Sequence, residues 1–403
     1  MIWWAATLVT AIQAILAAMS GYLVLLVAAS FLYRRSSPTP VARSQRRFAI
    51  LVPAHDEEQV IGRLLESLER LRYPRELFGV HVVADNCSDG TALIARSRGA
   101  HVYERHDPSA PGKGQALRWL LDRLADAPYD AYVIVDADSV VSPAFLQAVA
   151  ARLEEGSSAV QGYYGVLNPG ESWVATLRAL AFSLRHYTRR LGLAALGASA
   201  GLAGNGMVFA ADLREAREWD AFGLTEDLEL HLKLVESGVS VAFAPEAEVL
   251  SEMPTSLAQA RSQNTRWERG RLALTRRYAP RLLTSGILRR DWPKLNAALE
   301  LIIPPQSVQL LLTAAMLAAS FALGLAVPVA LGLAALAGQS AYVVGGLARA
   351  RVRPRLWLAL AYAPLYVLWK GHLYFRALLA RRPLPWVRTP RRQPLARDDL
   401  GAR

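Results

Sequence analysis

The chain has 403 residues, of which 53% are hydrophobic and only 20% are charged. Lys and Arg together number 46 against 34 Asp and Glu, which gives a formal net charge of +12. The apolar content excludes a disordered chain. The single cysteine, Cys87, excludes an internal disulfide framework and a multi-cysteine metal centre. A composition this apolar is typical of a membrane protein with a sizeable soluble part.

The N-terminal segment predicts a retained membrane helix rather than a cleaved signal peptide. From Ile2 to Tyr33 there is no charged residue, and this run exceeds the roughly 20 residues that cross a bilayer core. A signal peptide would be shorter and would begin with a basic region, which is missing here. We therefore predict a transmembrane helix over residues 1–33 and a basic cytoplasmic linker over 34–47.

A second uncharged run, Leu301 to Ala348, is about twice as long as one span. Gly324 to Pro328 offers a break, so we predict an interfacial segment and two transmembrane helices over 281–348. Three spans place the arginines of 34–47 and of 349–355 on the same side, which the positive-inside rule makes the cytoplasm. This predicts a multi-pass protein of the plasma (inner) membrane. Because most of the excess positive charge then flanks the membrane, nucleic-acid binding is disfavoured.

The C-terminal segment 349–403 is basic and contains one more apolar stretch, 356–380. This stretch carries Lys370, His372 and Arg376, and a crossing there would put the arginines that follow residue 380 outside the cell. We interpret it as an interfacial or re-entrant helix, with a fourth span as the alternative.

Between the apolar runs, residues 48 to about 250 alternate strand-like and helix-like stretches. Crossovers of this length between strands predict a mostly parallel sheet, in which ligands bind outside the carboxyl ends of the strands. The sequence therefore predicts an α/β domain of the nucleotide-binding type. The predicted strands are Phe48–Ala54, Val80–Ala84 and Tyr132–Val135, and the predicted helices include His55–Leu71, Gln115–Ala125 and Asp227–Glu236.

Acidic residues follow each of the three predicted strands. Asp56 to Glu58 come after the first, where we expect them in the first turn of a helix. Asp85 to Asp89 come after the second, with a loop and a helix N-capped by Ser88 or Asp89 as the alternative interpretation. Asp136 and Asp138 come after the third. Two carboxylates at this spacing suit Mg²⁺ or Mn²⁺ holding phosphate oxygens, with a solvated turn as the alternative.

Three further motifs point to chemistry, each with a structural alternative. Thr225-Glu226-Asp227 opens a predicted helix, where the alternative is a helix cap. Gln263-Asn264-Thr265-Arg266-Trp267 lies in a basic stretch that is compatible with a helix, where the alternative is an interfacial helix with Trp267 at headgroup level. Lys113, at a predicted helix start, can present a cation to phosphate.

Gly197-Ala198-Ser199-Ala200-Gly201 matches the nucleophile elbow of serine hydrolases. Its candidate partners, Asp227 and His231, lie one turn apart on one predicted helix rather than on separate loops. We therefore reject a hydrolase. The chain contains neither a dinucleotide-binding fingerprint nor a P-loop.

The order of the motifs resembles the D, D×D, D, Q-x-x-R-W signature of membrane-integrated family 2 glycosyltransferases, which include cellulose, chitin and hyaluronan synthases. Here the signature reads Asp85, Asp136-x-Asp138, Thr225-Glu226-Asp227 and Gln263-x-x-Arg266-Trp267. The segment Pro53-Ala54-His55-Asp56-Glu57-Glu58 is similar to that family's P-x-[YH]-[ND]-E segment. The resemblance covers about residues 48–280 and, with the flanking spans, nearly the whole chain.

This resemblance implies a GT-A fold, with a Rossmann-like mixed sheet over 48–280 between transmembrane helices, and a nucleotide-diphosphate sugar as donor. It implies that Asp227 is the general base and that Mg²⁺ or Mn²⁺ is held by Asp136 and Asp138. Donor contacts would come from Glu57, Asp85, Lys113 and Asp136, and acceptor contacts from Gln263, Arg266, Trp267, Asn205 and Glu226.

The resemblance further implies an inverting hexosyltransferase that uses UDP-glucose or UDP-N-acetylglucosamine to extend a glycan acceptor into an exopolysaccharide or oligosaccharide. The alternative is a single-transfer enzyme that makes a glycolipid, similar to glucosylceramide-type synthases. A membrane protein with an inactive domain is a third possibility. The chain departs from the polymer synthases at two positions, which bear on the length of the product rather than on the transfer reaction. Leu202 to Asn205 stand where several polymer synthases carry a cysteine, and Asn264 replaces a common arginine.

Overall fold

The computed structural model describes residues 2–34 and 45–379. Most of the predicted linker, with Arg35 and Arg43, lies outside the described residues. The basic tail from Arg381 onward also lies outside them. Within the described ranges the chain forms one eight-stranded sheet flanked by helices, together with a set of long apolar helices formed by both ends of the chain.

The strands lie in the order β3-β2-β1-β4-β7-β6-β8-β5. Their bounds are β1 (Phe48–Ala54), β2 (Phe78–Asp85), β3 (His101–Arg105), β4 (Ala131–Ile134), β5 (Ser139–Val141), β6 (Ala159–Val166), β7 (Met207–Ala210) and β8 (Val241–Ser251).

The helices fall into two groups. Those around the sheet are α2 (Ile61–Glu69), α3 (Thr91–Ser97), α4 (Lys113–Arg123), α5 (Phe145–Glu154), α6 (Trp173–Phe182), α7 (Arg189–Ala195), α8 (Arg214–Arg217) and α9 (Glu226–Glu236), with a π-helical turn Ser183–Thr188. The others are α1 (Ile2–Ser30), α10 (Leu257–Arg289), α11 (Trp292–Ile302), α12 (Gln306–Ala322), α13 (Ala326–Arg349), α14 (Pro354–Trp357) and α15 (Ala363–Leu379).

The sheet is mixed rather than mostly parallel, which corrects the expectation from the strand and helix pattern. Strands β3, β2, β1 and β4 are parallel neighbours, as predicted. Strand β7 enters antiparallel between β4 and β6, and β5 pairs antiparallel with β8. These antiparallel strands are short, three or four residues each, and they carry little periodicity that could be recognised in the sequence.

The core explains why β1 is an uninterrupted apolar run. Phe48, Ile50 and Val52 face the helices α2 and α5. Ala49 and Leu51 face the opposite layer, which contains α4 and α9. Because helices cover both faces of the sheet, alternation of polar and apolar residues is unnecessary in this strand. The polar residues of this region therefore lie beyond the end of the strand.

The first helix after β1 begins later than predicted, at Ile61 rather than near residue 55. Asp56 has a φ of 53°, which a helix excludes, and its carboxylate accepts a hydrogen bond from the Ser88 amide at 2.7 Å. The Glu58 carboxylate accepts one from the Gly90 amide at 2.8 Å. The acidic residues therefore join the loops after β1 and β2 instead of capping a helix.

Two helices in the described residues are long and apolar enough to cross a membrane, Ala6–Ser30 and Ala326–Arg349. The segment Gln306–Ala322, predicted as a span, has 17 residues and bends by 64° from Trp292–Ile302. At 1.5 Å per residue it is about 26 Å long, slightly short of a hydrocarbon core of about 30 Å. By length and composition, the described residues therefore contain two candidate spans, or three if the bent pair acts as one.

The exposed large hydrophobic side chains are concentrated in the two ends of the described chain. Between residues 45 and 286, the exposed large hydrophobic side chains among the described residues are Leu93 and Phe222. All others lie between residues 2 and 34 or from Ile287 onward. Inside this group, Gln339 of α13 donates hydrogen bonds to Thr313 at 2.8 Å and to Ser20 at 3.3 Å. An apolar surface of this extent is compatible with contact with a membrane.

Helix α10 connects the two parts of the molecule without a break. It runs for 33 residues, so the predicted domain boundary at residue 280 falls inside a single helix. Its first half faces the sheet domain and carries the Q-x-x-R-W motif, while its end exposes Ile287 and Leu288.

Candidate active site

The strand-end loops, α9, α10 and the apolar helices enclose one cavity of about 930 Å³. It lies at the carboxyl ends of β1, β2 and β4, where the sequence predicts ligand binding. Nearly all the predicted site residues line it, namely Glu57, Asp85, Lys113, Asp136, Asp138, Glu226, Asp227, Gln263, Arg266 and Trp267. Residues far apart in sequence are therefore brought together as expected.

Lys113 is the positive centre of an acidic cluster. It begins α4, and its Nζ donates to Asp136 Oδ1 at 2.5 Å and to the carbonyl of Gly204. The same Nζ lies 3.9 Å from Glu226 Oε1. Burial lowers the pKa of Lys113, but the nearby Asp136 and Glu226 carboxylates outweigh it and raise the pKa above its usual value. Lys113 therefore stays charged.

The donor set at Asp136 and Asp138 fits a divalent cation. Both carboxylates follow β4 and line the cavity, and the Asp136 side chain is 32% exposed. The Lys113 ammonium beside Asp136 indicates that this position favours positive charge. Carboxylate oxygens are the ligands that Mg²⁺ and Mn²⁺ prefer, with positions left open for phosphate oxygens.

A second cluster of possible metal ligands has a structural role in the loops after β1 and β2. One ligand atom each from Asp56, Cys87 and Asp89 lies within 4.8 Å of the others. The carboxylates, however, accept hydrogen bonds from the backbone amides of Ser88 and Thr91. Burial raises the pKa of the Cys87 thiol, so the cysteine is a packed, unreactive side chain, as the sequence predicted.

Asp85 is fixed by a residue that sequence analysis missed. Arg105, at the end of β3, donates to Asp85 Oδ1 at 2.5 Å, and both side chains are almost fully buried. The two residues are direct partners in the parallel register of β2 and β3. His55 Nδ1 also lies 2.7 Å from the Asp85 carbonyl oxygen. The carboxylate therefore has a single orientation at the cavity wall.

Asn205 does not face the cavity, which corrects the expectation that its side chain contacts the acceptor. It is fully buried, and its Oδ1 accepts a hydrogen bond from the Asp136 amide at 3.1 Å. Its Nδ2 donates to the hydroxyls of Ser139 at 2.8 Å and Ser251 at 3.0 Å. All its polar atoms are used, so Asn205 positions the Asp136–Asp138 loop from behind.

Replacing Asn205 with leucine is expected to destabilise the protein by about 2–3 kcal/mol, because the Asp136 amide and the two serine hydroxyls lose a buried partner. The apparent melting temperature in detergent should fall by about 2–4 °C. Ser240→Ala, an exposed position, is the control and should melt like the wild type. Equal melting of Asn205→Leu and the wild type would show that the network contributes nothing.

Glu226 and Asp227 begin α9 and face Lys113 across the cavity. A Cβ at Gly204, whose φ is 75°, would lie 3.4 Å from Asp227 Oδ2, so glycine leaves this carboxylate open. Burial raises the pKa of Asp227 above its usual range. Burial also raises the pKa of Glu226, to about 7. The positive charge of Lys113 lowers this pKa, and the negative charge of Asp227 raises it. A carboxylate in this setting holds a proton more readily than one in water.

The Q-x-x-R-W residues lie on one face of α10, as spacings of three and four residues require. Gln263 Oε1 accepts a hydrogen bond from Arg178 at 2.5 Å, and the Arg178 guanidinium lies 5.4 Å from the centre of the Trp267 ring. A Cβ at Gly270 would lie 2.6 Å from Thr225 Oγ1, so glycine lets α10 touch the loop before α9. Arg178, the single charged residue of α6, was missed in the sequence.

The segment around Ser199 matches the nucleophile elbow of serine hydrolases in sequence only, as predicted. Ser199 is buried, and its Oγ accepts a hydrogen bond from the Val241 amide at 2.9 Å. Asp227 and His231 both lie on α9, and burial together with Arg190 lowers the pKa of His231 to about 4.

A mixed sheet with paired carboxylates after a central strand, facing a buried carboxylate across a cavity, defines the class of GT-A glycosyltransferases. The sequence profile of the family described as "Glycosyltransferase like family 2" matches residues 45–270. The chain belongs to this family, as the motif order predicted.

Curated proteins with similar sequences are also glycosyltransferases. The chain is 26% identical over 237 residues to the probable glycosyltransferase YdaM of Bacillus subtilis, covering 56% of this chain and 55% of YdaM. It is 28% identical over 267 residues to a beta-monoglucosyldiacylglycerol synthase of Trichormus variabilis, covering 64% and 56% of the two chains. The chain thus spans about half the length of these relatives.

Among solved structures, the mannosyltransferase PcManGT from Pyrobaculum calidifontis, in complex with GDP-Man and Mn²⁺, aligns with a TM-score of 0.54 at 21% identity. The alignment covers 90% of this chain and 99% of PcManGT. The similarity confirms the predicted GT-A fold, with its mixed sheet.

Proposed function

We propose that the protein transfers a hexose from a nucleotide-diphosphate sugar to a lipid acceptor, with inversion at the anomeric carbon. The observation that carries this proposal is the extent of the cavity. It continues from Asp136 and Asp138 past Asp227 to apolar side chains of α12, α13 and α15 and of the turn before α15, including Leu310, Val343, Leu360 and Val367. A site that joins polar strand ends to the space between apolar helices suits an acceptor with a sugar-accepting head and a hydrocarbon tail.

The comparisons favour a glycolipid over the expected polysaccharide. Beta-monoglucosyldiacylglycerol synthases recur among the relatives, in Trichormus variabilis, Nostoc and Synechocystis. A plant glucomannan 4-beta-mannosyltransferase matches as well, at 24% identity. We therefore adopt the single-transfer alternative as the main proposal and retain polymer synthesis as the outcome that the experiment must distinguish.

The proposed reaction assigns the central role to Asp227. Its carboxylate accepts the proton of the acceptor hydroxyl as the hydroxyl oxygen bonds to the anomeric carbon, and the bond from that carbon to the diphosphate breaks. The nucleoside diphosphate leaves with the electron pair. Burial keeps the Asp227 carboxylate basic enough to take the proton, and Lys113 holds the acidic residues in place around it.

Donor binding is assigned to the opposite wall of the cavity. Glu57 and Asp85 contact the nucleoside in this proposal, and Asp136 and Asp138 hold Mg²⁺ or Mn²⁺. The cation, when bound, neutralises charge on the diphosphate. In this proposal the catalytic domain faces the cytoplasm of a multi-pass inner-membrane protein. The bent pair Trp292–Ile302 and Gln306–Ala322 then forms a third span, which puts the arginines after α1 and after α13 on the same side.

The proposal is tested by nucleotide release from the purified protein in lipid vesicles. The donors are UDP-glucose, UDP-N-acetylglucosamine and GDP-mannose, with Mn²⁺ or Mg²⁺, and the products are separated into an organic phase and a water-soluble phase. Release with one sugar appearing in a chloroform-soluble product of single-hexose mass supports the proposal. A ladder of water-soluble products identifies a polymer synthase instead.

Replacing Trp267 with alanine is expected to raise the KM for the acceptor by about tenfold, because an aromatic face that packs on the acceptor is worth about 1–1.5 kcal/mol. Donor binding, measured by calorimetry with Mn²⁺ present, should change less than twofold. The control is Trp292→Ala, at the start of α11 and outside the cavity wall. A collapse of donor affinity in Trp267→Ala would assign the ring to the donor site.

A further inference from the structure

The C-terminal helix α15 contributes a buried lysine to the wall of the cavity. His372 and Arg376 of this helix are exposed, whereas Lys370 is only 8% exposed and lines the cavity. Its Nζ pairs with Glu268 Oε1 of α10 at 2.8 Å and donates a hydrogen bond to Asn264 Oδ1 at 2.5 Å. Both partners are buried as well, and neither charged residue of this cluster has a role in the proposed reaction.

Lys370 is the one ion-pair partner of Glu268 within residues 2–34 and 45–379. The second carboxylate oxygen, Glu268 Oε2, is buried without a hydrogen-bond donor in the same ranges. A buried ion pair is often no more stable than two apolar side chains of similar size, but removing one partner is strongly destabilising. The pair therefore adds little that apolar residues could not supply to stability. It does penalise every arrangement of α10 and α15 in which the two charges separate.

The partners of Lys370 lie on the helix that carries the Q-x-x-R-W motif. Asn264 and Glu268 are one turn apart and form one stripe on α10. Gln263 and Trp267, each one residue earlier, form the neighbouring stripe. A rotation or shift of α10 that separated Glu268 from Lys370 would therefore move Trp267 as well. The position of the Trp267 ring in the cavity is tied to the Lys370 contact.

A second contact between α15 and the motif lies one turn earlier. Tyr366 lies beside the Arg178 guanidinium of α6, and Arg178 donates a hydrogen bond to Gln263 of α10 at 2.5 Å. Helix α15 also packs against α12. The C-terminal helix is thus linked to the motif at two points, through Arg178 and through Lys370.

We propose that Lys370 is a positioning residue for the acceptor site: its ion pair with Glu268 holds the Q-x-x-R-W face of α10 in the orientation that places Trp267 against the acceptor. This inference rests on the proposed function, in which Trp267 contacts the acceptor. It adds the C-terminal helix to the elements that determine acceptor affinity. In this role Lys370 acts through α10 and takes no part in bond making.

The test uses the full-length protein in lipid vesicles and two variants. Lys370→Met leaves Glu268 buried without its partner, so this variant should melt below the wild type. In the double variant Lys370→Met/Glu268→Met both charges are absent and the side-chain lengths are kept, so it should melt above the single variant. We expect the double variant to raise the KM for the acceptor about tenfold, with kcat and the donor dissociation constant within about twofold of the wild type. A loss of stability alone would reduce the amount of active enzyme, and therefore kcat, but would leave KM unchanged.

Lys294→Met is the matched control. Lys294 is another buried lysine, which pairs with Asp291 at 3.0 Å at the start of α11 and lies outside the cavity wall. This variant should lose stability but keep the wild-type KM for the acceptor. An equal rise of KM in Lys294→Met would show that any buried lysine near α10 has this effect, and would overturn the proposal.

Hydrogen exchange of backbone amides gives a readout that needs no turnover. Exchange across residues 263–270 should be faster in the double variant than in the wild type, while exchange in α4, on the donor side, should not change. Unchanged exchange across 263–270, or a wild-type KM in the double variant, would overturn the proposal. If the wild type extends a glycan rather than a lipid, the proposed function fails and the KM is measured for the glycan. If it transfers no sugar, the exchange measurement still decides whether Lys370 holds the helix.

Discussion

Asp227→Asn is expected to reduce sugar transfer by about 10³-fold or more, since it removes the group that accepts the acceptor proton and general bases contribute about 10²–10⁴. The amide is nearly the same size as the carboxylate, so the cavity keeps its shape. Donor affinity measured by calorimetry with Mn²⁺ should change by less than about threefold, a shift under 1 kcal/mol. Turnover is followed as nucleoside diphosphate release.

The matched control is Glu229→Gln, in the first turn of the same helix. Glu229 pairs with Lys233 at 3.7 Å and Arg277 at 3.6 Å and does not line the cavity. It should retain transfer within about twofold of the wild type, since the two ion pairs that it loses lie outside the cavity wall. Turnover of Asp227→Asn within tenfold of the wild type would remove Asp227 from the role of base. Glu226 would then be the next candidate.

Asp138→Asn is expected to lower transfer by about 10²-fold at a fixed Mn²⁺ concentration, because the proposed metal site loses one of its two carboxylates. The Mn²⁺ concentration needed for half-maximal rate should rise at least tenfold. Titration of activity with Mn²⁺ after treatment with EDTA measures both effects.

Asp126→Asn serves as the comparison for Asp138→Asn, because Asp126 is exposed, precedes the other end of β4 and lies outside the cavity wall. It should show the wild-type Mn²⁺ dependence. If Asp138→Asn also responds to EDTA and Mn²⁺ as the wild type does, the cation is held elsewhere and Asp138 has another role.

The parallel half of the sheet and the position of the site were predictable because both depend on local patterns. The strands at residues 48–54, 80–84 and 132–135 are apolar and buried on both faces, so the sequence predicts their type and nearly their limits. Each is followed by an acidic residue, and parallel strands bring such residues to one edge.

The remaining features depend on contacts between distant residues. Asp56 is drawn out of a helical conformation by the amide of Ser88, which no local pattern contains. Asn205 is buried because Ser139 and Ser251 meet it across the sheet. Arg185 lies in a segment whose sequence resembles ordinary amphipathic helix, and only the arrangement of α10, α13 and the π-helical turn places it in the cavity. An arginine in an apolar helix, such as Arg178, was the one available signal.

Helix α10 determines the distance between the proposed acceptor-binding face and the exposed apolar residues at its end. Its 33 residues extend for about 50 Å, with the proposed acceptor-binding face near one end and exposed Ile287 and Leu288 near the other. If those apolar residues rest at the bilayer surface, the continuous helix acts as a rigid spacer that keeps the reacting carboxylate at one height relative to the lipid. The enzyme would then select acceptors by the distance of their hydroxyl from the bilayer, in addition to any selection by contacts with the head group.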